Sequence, residues 1–494
     1  MSERNLWKRL SLYGAIGASR LATAGLRLIK RGGTSLPGKI ALTLCPDIVE
    51  ALSDRFVIYM ITGTNGKTTT SRIAASMLEA GGIRFMTNKS GANLSSGITA
   101  TLTGAVSLFG KPRVPSLLLE TDEAAFRTLA PKLKPHTVIV TNFFRDQLDR
   151  YGELYTTLNH VREGIKGTPD TRLLLNADDS LCASLGKDVP NPVSYFGFAE
   201  GAYPQGDAAV SSDAAFCLYC KTRYNYTDVT FGHLGHFQCP GCGYERPWSQ
   251  VECTAVTDYD NESSVAALVL KAPRLKSPGS GGETDSSPLE SKPEEANEEQ
   301  ALTVRLALPG LYNIYNALAG ASFGQVLALD SSRIIHALEN FECGFGRMEA
   351  IEVENRKLRV ILVKNPTGFN QVLGYLKTQT EPCVVALAIN DNLADGTDIS
   401  WLWDVDFEIL AAMEEKVRLF AVSGIRAEDM ALRLKYAGVS PQRIAVFRPF
   451  DSFIDRSLKA AGEQESVYLL PTYTAMLDIR STLKERYNLK NFWQ

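Results

Sequence analysis

The sequence predicts an α/β protein, and three observations carry the prediction. An apolar, β-branched run over residues 56–61 passes through a Gly-rich loop into a helical stretch that lasts to about residue 80. Further strand-like runs at 116–119, 137–141 and 172–175 are separated by segments of helix length, the pattern of βαβ units and a mostly parallel sheet. After residue 347 the alternation resumes, with strands expected near 359–363, 383–389, 417–422, 444–447 and 467–470, which marks a second α/β domain of Rossmann-like kind.

The 494 residues correspond to about three domains at roughly 150 residues each. The expected division is a basic amphipathic segment at 1–55, a phosphate-loop domain at 56–340, and a C-terminal α/β domain at 341–494. Apolar residues make up 45% and charged residues 22%, which argues for a folded chain and against bulk disorder. With 52 Lys and Arg against 55 Asp and Glu the net charge is only -3, so no whole-molecule field exists to hold nucleic acid. No apolar run reaches the roughly 18 to 20 residues that span a bilayer, and no signal-peptide pattern opens the chain, so a cytoplasmic protein is expected.

The first 31 residues carry Arg4, Lys8, Arg9, Arg20, Arg27, Lys30 and Arg31 against one acid, Glu3, with apolar residues interleaved. Such a helix fits two roles: peripheral contact with an anionic surface at the inner face of the membrane, or docking on the rest of the protein with its basic face in water. Residues 273–300 turn rich in Pro, Gly, Ser and Glu, and a disordered surface loop is expected there.

The loop Gly63-Thr64-Asn65-Gly66-Lys67-Thr68-Thr69 lies between strand and helix. Backbone N–H groups and a helix N-terminus there suit phosphate, with Lys67 reaching the β- and γ-phosphates and the Thr68 hydroxyl reaching Mg²⁺. The first Gly stands three rather than five positions before the second, a departure from the general phosphate loop. Glu120 closes the run at 116–119 at the carboxyl end of a buried strand, where open α/β sheets bind ligands, and is a natural second Mg²⁺ ligand. The next strand runs into a polar stretch that starts at Asn142.

Cys217-x-x-Cys220, 18 intervening residues and Cys239-x-x-Cys242 have the spacing of a zinc ribbon, expected over about 212–248. Four thiolates would close the Zn²⁺ site, so its role is structural. His233 and His236, between the pairs, are expected to be polar surface residues rather than ligands.

In order along the chain, the 63–69 loop, Glu120, residues 142–152 with Asp146-Gln147-Leu148-Asp149, Asn176-Ala177-Asp178-Asp179, Gly310 to Ala317 and Gly346-Arg347-Met348-Glu349 resemble the ATP-dependent Mur ligases. The resemblance implies a Mur ligase-type central ATPase domain and chemistry in which ATP converts a carboxylate to an acyl phosphate that an amine then attacks. It implies catalytic roles for Lys67 and Glu120, places Asn313 or Asn316 at the base or sugar, and brings Arg347 over the nucleotide from the second domain.

Two departures bear on the amine. Gln147 stands where those ligases usually carry His, and Val363-Lys364-Asn365-Pro366-Thr367-Gly368-Phe369-Asn370 replaces an Asp-Tyr-Ala-His-type segment. With the cysteine insertion and Asn390 to Trp401, the chain resembles the MurT family, ligase subunits of lipid II isoglutaminyl synthase. That resemblance implies amidation of the D-glutamate α-carboxylate of the peptidoglycan stem peptide, with ammonia from a separate GatD-like glutamine amidotransferase subunit. It also implies that Asp398 orients the His of the partner's Cys-His pair, with Asp395 as the nearest rival. Independently, none of Cys45, Cys182, Cys253, Cys343 and Cys383 lies in a Gly-x-Cys-x-Gly elbow, so ammonia must come from elsewhere. The competing readings are a Mur or folylpolyglutamate-type ligase that adds an amino acid, and a zinc-ribbon P-loop protein that binds nucleic acid.

Overall fold

The computed structural model describes residues 3–28, 35–88, 92–145, 153–203, 214–259, 263–271, 299–307, 310–341, 347–353 and 355–487. The first of two main sheets contains β1 (Val57–Thr62), β2 (Phe85–Thr87), β3 (Ser116–Glu120), β4 (Thr137–Val140), β5 (Arg172–Asn176) and β6 (Val193–Phe198). A separate hairpin, β7 (Asn225–Phe231) and β8 (Leu234–Gln238), precedes β9 (Val251–Tyr259), β10 (Ser264–Leu270) and β11 (Gln300–Leu306). The sheet order is β11-β10-β9-β6-β5-β4-β1-β3-β2. It is parallel from β2 to β9, and β10 and β11 add antiparallel at one edge.

β1 reads as an unbroken apolar run because the sheet is covered on both faces. Tyr59 and Ile61 join one core with Ile73, Met77, Leu318 and Phe323, and Ile58 and Met60 join the other with Phe126 and Leu158. The helix Glu3–Leu28 docks on this second core through Leu12, Ala15 and Ile16. Ser19 Oγ lies 2.8 Å from Thr103 Oγ1, and the Arg20 guanidinium donates to the carbonyls of Thr103 and Val106. The helix therefore packs on the protein, with the Arg20 guanidinium turned toward it. Among the described residues no helix is long and apolar enough to cross a membrane.

The second sheet contains β12 (Arg347–Val353), β13 (Arg356–Ile361), β14 (Cys383–Ala388), β15 (Val417–Ser423), β16 (Ile444–Val446) and β17 (Ser466–Pro471), in the order β12-β13-β17-β14-β15-β16. β12 pairs antiparallel with β13, and the other pairs are parallel. All the strands expected from the sequence are present. β2, β6, β7, β8, β9, β10, β11 and β12 were not foreseen as strands. Of the segment 273–300, residues 273–298 lie outside the described residues, and Gln300 already opens β11.

Candidate nucleotide site and cysteine cluster

Chain direction places the site. From β1 the chain travels out to β2, returns to β3 beside β1, then crosses to β4 on the other flank, so the carboxyl end of β1 is a switch point. The loop 63–66 emerges there and leads into the helix Lys67–Ala80. Gly63 at φ +120° and Gly66 at φ +85° hold the loop in conformations that side chains disfavour. A Cβ on Gly63 would stand 2.4 Å from Thr141 Oγ1, and one on Gly66 2.3 Å from Asn316 Oδ1. The helix starts with no side-chain cap hydrogen bond, and its positive end suits an anion.

Neighbouring strand ends lock this loop. Asn142 accepts from Asn65 N at 3.0 Å through Oδ1 and from Thr64 N at 2.8 Å through its carbonyl, and Thr141 Oγ1 donates to Asn65 O at 2.6 Å. Glu120 is buried and level with Ile61 of β1. Its backbone is held from both sides by Asn88, which donates to Glu120 O at 2.8 Å and accepts from Glu120 N at 2.9 Å. The Thr68 hydroxyl donates to Glu120 Oε1 at 3.1 Å, so the two expected Mg²⁺ ligands stand together. Lys67 Nζ folds back on Gly63 O and pairs with Glu123 Oε1 at 3.0 Å.

A cleft of about 340 Å³ opens over these groups, and both sheets line it. Thr64 to Thr69, Glu120, Asn142, Asn313 and Asn316 all face it. The two asparagines belong to the helix Leu311–Val326: Asn316 Nδ2 donates to Asn313 Oδ1 at 3.2 Å and Thr70 Oγ1 donates to Asn316 Oδ1 at 3.1 Å. The opposite wall comes from the end of β13 and the helix Pro366–Lys377, through Lys364, Asn365, Thr367 and Gly368. Asn365 is fully buried, accepts from Gly368 N at 2.8 Å as the helix cap, and donates to Asn65 Oδ1 at 3.1 Å across the cleft.

Not every expected residue gathers here. Gly63 contributes its carbonyl to Lys67 without facing the cleft. The side chain of Arg347, and Asp146 to Gly152, lie outside the described residues. Asp398 stands away from the cleft, just ahead of the short helical turn Ser400–Asp404, and accepts from Ser400 N at 2.8 Å and Ser400 Oγ at 2.7 Å. Asp395 is committed to the other end of the loop, accepting from Thr474 N at 2.7 Å and from the Thr474 hydroxyl. Sequence reasoning missed Asn88, Glu123 and the direct Asn65–Asn365 contact, since neither spacing nor residue type marks them.

The thiols of Cys217, Cys220, Cys239 and Cys242 all lie within 4.8 Å of one another, with Sγ pairs at 3.6 Å (Cys217–Cys242) and 3.3 Å (Cys220–Cys239). The Thr222 hydroxyl and backbone, then the Cys239 thiol, pull the Cys220 thiol down to about 6. His233 corrects one expectation: it is fully buried, 3.4 Å from Asp179 Oδ1, because the hairpin tip turns into the protein instead of into solvent. Neither histidine joins the thiol cluster among the described residues.

Residues 61–239 match the Mur ligase middle domain and residues 362–476 the MurT ligase C-terminal domain. The chain is 32% identical over 457 residues to the MurT subunit of lipid II isoglutaminyl synthase from Streptococcus pneumoniae strain R6, covering 92% of this chain and 93% of that one. The chain belongs to the MurT family. A second MurT subunit, from Staphylococcus aureus strain COL, is 31% identical over 96% of this chain and 98% of its own. Among solved structures, a pseudomurein peptide ligase type C from Methanothermus fervidus superposes with a TM-score of 0.61 at 19% identity, over 90% of this chain and 81% of the other, and so shares the fold. The MurT C-terminal match starts at residue 362 and takes in the segment that forms the far wall of the cleft.

Proposed function

We propose that the chain is the ligase subunit of a lipid II isoglutaminyl synthase, using ATP to amidate the D-glutamate α-carboxylate of a peptidoglycan stem peptide with ammonia from a GatD-like glutaminase subunit. The observation that carries this reading is the identity of the cleft's second wall. It is the Lys364 to Gly368 segment, the part that departs from the amino-acid-adding Mur ligases, and it touches the phosphate loop through Asn365 and Asn65. The two named relatives support the same reading. A lipid II substrate fits a cytoplasmic enzyme acting at the inner membrane face, and the exposed Leu10 and Leu21 of the first helix suit a peripheral contact there.

ATP binds with its phosphates over the N-terminus of the Lys67–Ala80 helix. Lys67 exchanges its Glu123 partner for the β- and γ-phosphates, and Asn313 and Asn316 face the base or sugar. Thr68 and Glu120, hard oxygen donors 3.1 Å apart, fit Mg²⁺, which supplies neutralisation of the phosphate charge. A substrate carboxylate oxygen attacks the γ-phosphorus and the bond to the β-phosphate oxygen breaks, releasing ADP. Ammonia then attacks the acyl carbon, inorganic phosphate departs, and the nitrogen loses one proton to leave the carboxamide. The resemblance gives Arg347, at the start of the 341–494 domain, the role of covering the nucleotide bound to the 56–340 domain.

The four thiols fit a structural Zn²⁺, since Zn–S bonds of about 2.3 Å in a tetrahedron set sulfurs about 3.8 Å apart. We assign the partner surface to the Asp398 loop, where Asp395 is engaged with Thr474 while Asp398, among the described residues, bonds within its own loop. Leu393, on the same loop, is 94% exposed, and Trp403 just beyond it is also exposed. A net charge of -3 and this cleft favour no nucleic-acid role.

The test is product mass from purified chain, ATP and a lipid II-type precursor. A loss of about 1 Da with ammonium but not with glutamine alone is expected, because OH is replaced by NH₂ and the chain lacks its own glutaminase. No change with ammonium, and a larger gain when amino acids are supplied, would refute amidation in favour of amino-acid addition.

A further inference from the structure

The cysteine hairpin reaches the nucleotide cleft. β7 and β8 turn at Gly232 and His233, with Gly232 at φ +61°. A Cβ on Gly232 would stand 2.9 Å from Phe144 Cε1, so the tip is pressed against the segment that follows β4. Phe231 stacks on Phe144 with ring centroids 5.9 Å apart and planes 14° from parallel. It meets Tyr315 edge-on at 5.7 Å, and His233 packs on Phe144 at 4.6 Å. Phe144, Phe231 and Tyr315 line the same cleft as Gly66, Lys67 and Thr68.

A buried carboxylate fixes the hairpin to the helix that carries Asn313 and Asn316. Asp178, fully buried, accepts from Arg246 Nε at 2.6 Å, from the Tyr315 hydroxyl at 2.6 Å and from Phe198 N at 2.8 Å. Its carbonyl accepts from Gly235 N of β8 at 2.9 Å, and the Tyr315 hydroxyl also lies 3.1 Å from Thr230 Oγ1 of β7. Burial opposes the Arg246 charge, yet Asp178 beside it holds that guanidinium above its usual value. Burial, then Asp178, keeps the Tyr315 hydroxyl far from ionising. At the other end of the hairpin, Cys239 follows β8 directly.

The phosphate loop and Glu120 commit one end of the cleft to anions. The aromatic end offers flat apolar faces, which is what a nucleobase presents in return. We propose that the hairpin is part of the nucleotide site: Phe231, backed by Phe144, forms the wall on which the base of the nucleotide packs, and zinc at the four thiolates holds that wall in place. This rests on reading the cleft as an ATP site and the cysteines as a zinc site.

The test measures Mg-ADP and Mg-tripolyphosphate binding by calorimetry on the full chain, with zinc content determined for each preparation. Phe231→Ala is expected to weaken ADP about tenfold or more and tripolyphosphate, which has no base, by less than about twofold, while Phe231→Tyr keeps near-native affinity. Zinc content is unchanged in both variants. Equal weakening of ADP and tripolyphosphate would mean that Phe231 only supports the loop, and unchanged ADP affinity would remove it from the site; either overturns the proposal. Zinc removal by a chelator is expected to reproduce the base-dependent loss, and equal ADP affinity with and without zinc overturns the metal's part. An unsubstituted chain that binds tripolyphosphate but not ADP would sink the nucleotide reading, a result distinct from failure of the Phe231 wall.

Discussion

Gly66→Ala is the most exacting perturbation of the phosphate loop, because two separate costs fall on one methyl group. The first is conformational: at φ +85° an L-residue pays about 1–2 kcal/mol relative to glycine. The second is steric. The new Cβ would stand 2.3 Å from Asn316 Oδ1, and that amide cannot swing away freely, since it accepts from Thr70 Oγ1 and donates to Asn313 Oδ1. Displacing it sacrifices two buried hydrogen bonds at roughly 0.5–1.5 kcal/mol each. The native loop is then disfavoured by about 2–5 kcal/mol, and a nucleotide that needs that loop binds at least about thirtyfold more weakly. The assay is titration with a fluorescent ATP analogue, run alongside Asn316→Ala and the double variant. If the clash is real, Gly66→Ala costs less in the Asn316→Ala background, leaving only the conformational term, about 1–2 kcal/mol. Affinity within about twofold of native, or strictly additive losses, would refute the reasoning.

Other outcomes follow from the same geometry. Asp398→Asn keeps an acceptor for Ser400 N, so the turn Ser400–Asp404 folds while the charge is lost. Ammonium-driven amidation is expected to persist, and glutamine-driven amidation with the glutaminase partner to fall by at least about a hundredfold; equal loss of both would point to a cleft defect. Glu120→Gln leaves a neutral group beside Thr68, and the Mg²⁺ needed to support nucleotide binding is expected to rise sharply, with little change in melting; an unaltered Mg²⁺ requirement would take Glu120 out of the metal site. Glu465 accepts from Arg418 at 2.8 Å, and chiefly for that reason its carboxyl lies below the usual range. A lowered carboxyl stabilises the fold above its unfolded-state value, and that contribution is lost as pH falls through the folded one. Glu465→Gln should therefore lower the melting temperature at pH 7 only slightly, Arg418 being half-exposed, and the gap should close as pH falls through the lowered value of the folded carboxyl. A gap that widens on acidification would contradict the assignment.

The parts of this protein that the sequence determined by itself are those whose partners are chain neighbours. The phosphate loop is legible because its glycines, Lys67 and Thr68 act within one turn, where a strand hands over to a helix. The thiol knuckles are legible for the same reason: Cys217 N bonds Thr222 O and Cys239 N bonds Tyr244 O, so the spacing of the cysteines already encodes the turns. Glu120 was visible as the polar end of an apolar strand. Tertiary structure alone decided what faces those motifs. The Asn65–Asn365 contact joins residues 300 apart, and Tyr315 reaches Asp178 across 137 positions. Such pairs leave no period in the sequence, because each residue type is as common in a surface turn as in a cleft. The same holds for His233, polar by composition yet buried, since burial is fixed by where the hairpin docks. β10 and β11 were hidden because the low-complexity run between them masks two strands that become neighbours only once paired. Short-range geometry is written in spacing; the wall opposite the phosphate loop is chosen by packing, which acts between surfaces and not along the chain.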